Sequence, residues 1–204
     1  MTETDGCDNV IWANDSFRGD AMPMAPISAV LRDQEVPGSG LSAMDAEKGK
    51  AVAIRIAIAS DHRGFEAKRR LVPALSKLGY EIQDFGCEGT ASVDYPDYAV
   101  PVSQKVAAGD YHIGILLDGS GIGMSIVANK VVGVRAALAH DEVTARRARE
   151  HNHCNVLCLG TDLLSEDQIR KIVEIFLNTP FGDGRHARRI EKLQQVEREQ
   201  QAQA

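Results

Sequence analysis

Nowhere in the 204 residues do about 18 apolar residues follow one another, so no segment reads as a membrane-spanning helix. Cysteine is scarce: Cys7, Cys87, Cys154 and Cys158 are too few for a disulfide scaffold in a chain this long, and reduced thiols are the expectation. A basic excess is missing too. The 23 Lys and Arg stand against 29 Asp and Glu, which excludes a broad electrostatic footprint for nucleic acid or anionic lipid. Met1–Asp20 lacks a basic segment followed by an apolar one, so it does not read as a secretory signal and the expected location is the cytoplasm.

The acidity that remains is unevenly placed. Residues 1–50 hold nine acidic and four basic side chains, whereas residues 51–204 hold 20 and 19. Pro23, Pro26, Pro37 and the Pro37-Gly38-Ser39-Gly40 run interrupt any long element in the first segment. It reads as an acidic, flexible leader on a domain of residues 51–204. Within it, Ile27, Val30 and Leu31 recur at helical spacing, as in a transient helix or in an amphipathic peptide that docks to another protein.

From residue 51 onward, strand-like and helix-like patterns alternate. Strands are predicted at 52–59, 80–85, 113–117, 134–139 and 155–159, and helices at 64–78, 95–108, from the end of the 119–123 glycine run through 129, and at 141–150, 165–178 and 185–200. Pro73 and Pro101 argue for irregular helices, Asp141 and Ser165 for N-caps. Apolar strands separated by helices predict an α/β fold with a parallel sheet covered on both faces. In such a sheet the ligand lies at the carboxyl ends of the strands.

Those ends carry the chemistry. Asp118-Gly119-Ser120-Gly121-Ile122-Gly123 joins a buried strand to a helix, and its alternating glycines let backbone N–H groups converge as an anion or oxyanion site. The spacing is neither a dinucleotide fingerprint nor a P-loop. Asp61-His62, directly after the first strand, pairs a carboxylate with an imidazole able to bind hydroxyls and move protons, or it caps the following helix. His151, His153, Cys154 and Cys158 match no zinc spacing, and no metal is expected. Arg185, His186, Arg188 and Arg189 form either a solvated helix face or a phosphate clamp.

Together, Ser60-Asp61-His62-Arg63-Gly64-Phe65, Asp94-Tyr95-Pro96, Gly119 through Lys130, Arg149-Glu150-His151-Asn152, Asn155-Val156-Leu157 and Gly184-Arg185-His186 carry a resemblance. Over Ile56–Gln195 the chain resembles the ribose-5-phosphate isomerase type B family, which includes the galactose-6-phosphate isomerase subunits. The resemblance implies a Rossmann-like three-layer sandwich with a five-stranded parallel sheet, and aldose–ketose isomerisation of a sugar phosphate through an enediolate, without cofactor or metal. It also implies a homodimer or dimer of dimers with active sites at the subunit interface. Asp61 then binds substrate hydroxyls, with Tyr95 near the sugar. His151 assists ring opening beside Asn152. Ser120 and the N–H groups of Gly119, Gly121 and Gly123 hold the enediolate oxygen. Arg185, His186 and Arg189 engage the phosphate, with His62 nearby.

The chain departs from that family twice. Asp118 stands where many members carry the catalytic Cys, and Met124 where others place a Glu base, which leaves Asp118 as the candidate base. Helix-terminal N–H groups lower the basicity of a carboxylate there, and packing against Ile115, Leu116 and Leu117 has to restore it. At Gly160-Thr161-Asp162 the acidic residue replaces a commonly present phosphate-binding Arg, and it is expected to repel a phosphate. A non-catalytic sugar-phosphate-binding relative and an assembly-docked partner are the alternatives to the isomerase.

Overall fold

A computed structural model describes residues 53–203. The amphipathic stretch at Ile27–Glu35, and the rest of the leader, lie outside the described residues.

Five strands form one all-parallel sheet: β1 (Arg55–Ser60), β2 (Glu81–Asp84), β3 (Ile113–Asp118), β4 (Ala136–Leu138) and β5 (Val156–Gly160). Their order is β2-β1-β3-β5-β4. Six helices connect and flank them: α1 (Phe65–Lys77), α2 (Pro96–Ala107), α3 (Ile122–Ala128), α4 (Glu142–Asn152), α5 (Glu166–Asn178) and α6 (Arg185–Gln201). The predicted Rossmann-like α/β sandwich is therefore present.

Alternation along the strands explains the layers. Ile56, Ile58, Ile115, Leu117, Leu157 and Leu159 point to one face and pack against Leu71 and Leu75 of α1, Ala145 and Ala148 of α4, and Ile169, Ile172, Val173 and Phe176 of α5. The intervening Ala57, Ala59, Leu116, Val156 and Cys158 meet Ala99, Val102 and Val106 of α2 and Met124 and Ala128 of α3 on the other face. Small residues on β1 let α2 approach closely. Cys158 is fully buried, and exclusion from water pushes its thiol strongly up.

The caps form as the residue types require. Asp141 accepts from the Thr144 N–H at 2.7 Å and Ser165 pairs with Gln168, both as capping boxes. Pro73 and Pro101 lie inside α1 and α2, which run through them as the predicted spans did. Pro73 is exposed, on the solvent side of the helix, where the hydrogen bond lost with its missing N–H is least costly. Several predicted boundaries are corrected. Leu78, the last residue of the predicted helix, is 61% exposed because α1 has already ended at Lys77. The fourth strand is three residues long, not six. It is an edge strand bonded only to β5, and Val134 turns back to Val131 instead of extending it.

Strand order reverses direction between β1 and β3, and the crevice there opens beyond Ser60 and Asp118.

Candidate active site

At the crevice, Asp61 follows β1 and its Oδ1 accepts the N–H groups of Arg63 (2.8 Å) and Gly64 (3.0 Å). These bonds brace the turn ahead of α1 and do not cap it, since Gly64 is the N-cap and no side chain caps the helix; Asp61 Oδ2 accepts no hydrogen bond among the described residues. His62 comes next. Its Nδ1 accepts the Val93 N–H at 3.3 Å, which leaves the neutral ring's proton on Nε2.

Across the crevice, Asp118 ends β3 at 5% exposure. Its Oδ1 accepts the Gly121 N–H and its Oδ2 the Met124 N–H at 3.3 Å. Burial raises its proton affinity; the N–H groups of Gly121, Met124 and Ser120 oppose this, and the neighbouring Asp61 charge reinforces it. The net direction is upward. The carboxylate thus stands above its ordinary range although it sits at a helix start.

The glycine loop is more selective than expected. The N–H groups of Ser120, Gly121 and Met124 are turned onto Asp118, and that of Ile122 onto Ser120 Oγ at 3.3 Å. Gly119 and Gly123 are left with N–H groups that have no acceptor among the described residues. Gly121 has φ +78°, and a Cβ there would collide with Leu138 Cδ1 and come within 3.0 Å of the Leu159 carbonyl carbon. At Gly123 the same atom would stand 2.8 Å from Cζ of Tyr95, so the Tyr95 ring lies directly on the loop.

Asp162 is not a free negative charge. Its Oδ2 receives Arg63 Nε at 2.7 Å and Nη2 at 2.6 Å, against the backbone of Gly119. The expected repulsion of a phosphate is offset by this guanidinium, a partner that sequence distance hid because Arg63 and Asp162 are 99 residues apart.

His151 and Asn152, by contrast, end α4, which descends from β4 and delivers the chain to the start of β5. They lie at the entry edge of the sheet, opposite the crevice, as their place ahead of the fifth strand implies. His151 stacks on His186 with ring centroids 4.3 Å apart and planes 5° from parallel. This brings Arg185 and Arg189 of α6 to the same edge, and partial burial together with His151, Arg185 and Arg189 holds the His186 imidazole below its ordinary range. The turn is braced from below: Arg135 Nε donates to the His153 carbonyl at 3.0 Å and Arg149 Nη1 to the Cys154 carbonyl at 2.7 Å. Arg149 is buried over the Phe176 ring, a role no sequence pattern announced. Among the described residues no cluster of His, Cys, Asp or Glu is grouped as a metal would need, and no helix is long and apolar enough to cross a membrane.

A parallel α/β sandwich with a carboxylate and a glycine loop facing a second carboxylate across its switch point is the architecture of an enzyme that handles polar, anionic small molecules. Comparison with known proteins makes the assignment specific. Residues 56–193 match the family model described as Ribose/Galactose Isomerase, and the chain belongs to that family. It is 47% identical over 145 residues to YwlF of Bacillus subtilis, covering 71% of this chain and 97% of that protein. Against ribose-5-phosphate isomerase B of Escherichia coli it is 37% identical over 143 residues, covering 70% and 96%. The structure of ribose-5-phosphate isomerase B from Mycoplasma genitalium with bound ribulose-5-phosphate is 41% identical, with a TM-score of 0.70 and coverage of 72% and 99%.

Proposed function

We propose that the chain interconverts an aldose phosphate and a ketose phosphate of the pentose class, moving a proton between adjacent carbons through an enediolate. The observation that carries this reading is the raised, buried carboxylate of Asp118 beside the unengaged N–H groups of Gly119 and Gly123. A carboxylate with elevated proton affinity suits proton abstraction next to a carbonyl, and the donors stabilise the oxygen where negative charge develops. Relatives named ribose-5-phosphate isomerase B, one of them bound to ribulose-5-phosphate, support the substrate class. In this reading Asp61, His62 and Tyr95 hold the sugar and Ser120 assists at the oxyanion. His151 with Asn152 assists ring opening, and Arg185, His186 and Arg189 hold the phosphate.

The two sets of residues occupy opposite edges of one sheet, and a homodimer in which each copy lends its entry edge to the other's crevice completes the site. Ile122 (53% exposed) and Ile126 (55% exposed), four residues apart on α3 beside the glycine loop, offer an apolar contact for that second copy. Residues 1–50 lie outside the catalytic unit of 51–204, and their deletion leaves turnover intact; a collapse of activity would return them to the fold.

The hydrogen bonds that Asp118 accepts favour a second reading, in which it only braces the loop of a sugar-phosphate-binding protein. Deuterium uptake at C2 of pentose phosphates incubated in D₂O separates the two. Exchange that disappears in Asp118→Asn supports the isomerase, whereas binding without exchange in the native protein supports the brace.

A further inference from the structure

Lys68 is among the largest fully buried side chains, at 1% exposure, on the α1 face that also buries Leu71 and Leu75. Burying an ammonium there gains nothing in packing over a methionine and is costly unless the charge is paired. Its Nζ donates to Asp84 Oδ1 at 2.5 Å and to the Cys87 carbonyl at 2.8 Å, and Asp84 Oδ1 also accepts the Gly86 N–H at 2.9 Å. One ammonium therefore ties together the end of β2 and the three residues after it.

The segment beyond that knot reaches the site. Pairing alongside β1 ends at Cys87, whose N–H donates to the Ser60 carbonyl at 2.8 Å. From there the chain runs to Val93, whose N–H meets His62 Nδ1, and to Tyr95, whose ring lies on Gly123. Across residues 88–92, Cys87 Sγ donates to the Gly89 carbonyl at 3.2 Å, the one further tie among the described residues. The Cys87 knot thus holds the near end of the span that carries the Val93 N–H, the donor to His62 Nδ1.

We infer that Lys68 is a positioning residue: by holding Asp84 and the Cys87 carbonyl it aims the 88–95 segment so that His62 is kept as the Nε2–H tautomer and Tyr95 stays over the glycine loop. The inference rests on the reading of His62 and Tyr95 as substrate-contacting, yet its main readout is independent of activity.

The test uses the full chain with ¹⁵N-labelled histidine, observed by long-range ¹H–¹⁵N correlation at a pH where imidazole is neutral. Native protein is expected to show His62 as the Nε2–H form. Lys68→Met, folded by circular dichroism, is expected to show a mixture of tautomers and a KM for ribose 5-phosphate raised about tenfold, as displacement of a positioning segment produces. Lys68→Gln, which keeps one donor for the Cys87 carbonyl, is expected to recover most of both. A folded Lys68→Met with unchanged tautomer and KM overturns the inference. So does failure of both variants to fold, which would make Lys68 a stability residue only. Failure of the site reading looks different: His62→Asn would then leave KM unchanged whatever happens at Lys68.

Discussion

Asp118 is pulled in two directions, and the balance has a kinetic signature. A base works deprotonated, so turnover rises with pH as the carboxyl loses its proton. Because burial lifts the group above 3.8, the acid limb of kcat/KM lies above that of an unperturbed aspartate. Asp118→Cys, which installs the residue the family resemblance implies at this position, is expected to retain measurable turnover with the limb moved up toward the thiol range, about pH 8 or 9. A pH–rate profile checks both, and an unmoved limb in Asp118→Cys would assign Asp118 to the loop alone. Arg63 makes a second point at this scale. Removing it in Arg63→Ala exposes the Asp162 charge beside Gly119, and KM for a sugar phosphate is expected to rise about three- to tenfold, less at high salt. Adding Asp162→Asn to that variant should return most of the loss, as measured by a double-mutant cycle. The sequence exposes both aspartates as departures from the family. It does not show Arg63 facing Asp162, because that pairing exists only once β1 and β5 flank β3 in the sheet.

Elements transmit what residues dictate. The loop entering α3 depends on the left-handed turn at Gly121, and Gly121→Ala combines an unfavourable φ with a collision against Leu138. A loss of about 3 kcal/mol in denaturant unfolding is expected, with activity falling further because the Gly119 and Gly123 donors move. The turn after α4 predicts an acid sensitivity. Burial, with Arg149 and Arg135 nearby, holds the His153 imidazole down to about 4. Its folded-state value is thus below the 6.5 of the unfolded chain, so the unfolded state binds the extra proton first as pH falls. Stability is full above about pH 6.5 and declines toward pH 4, by about 2 kcal/mol after allowance for partial exposure. His153→Asn, which tolerates the φ of +47°, should flatten that decline in thermal melts recorded across the window. Helix and strand identities were legible from periodicity, and the Asp141 and Ser165 caps from residue type alone. The shortness of β4 was not, since it depends on which neighbours the backbone meets at the sheet edge.

For the whole molecule, the decisive fact is that Asp118 and His151 sit at opposite edges of one sheet. A shared site in a homodimer predicts complementation: Asp118→Asn and His151→Ala, each inactive, should regain about a quarter of native activity when mixed under exchange, because half the dimers are mixed and each mixed dimer holds one intact site. Ile126→Glu should yield monomers by sedimentation and abolish turnover with the fold retained. The order β4-α4-β5 in a parallel sheet already places His151 at the entry edge, and the family resemblance alone implied a site shared between subunits. The same division has a genetic consequence. A copy carrying either lesion alone leaves its native partner half competent, whereas one carrying both spoils the two sites of every mixed pair. Expressed beside the native chain, the double variant should act as a dominant poison that neither single variant can match.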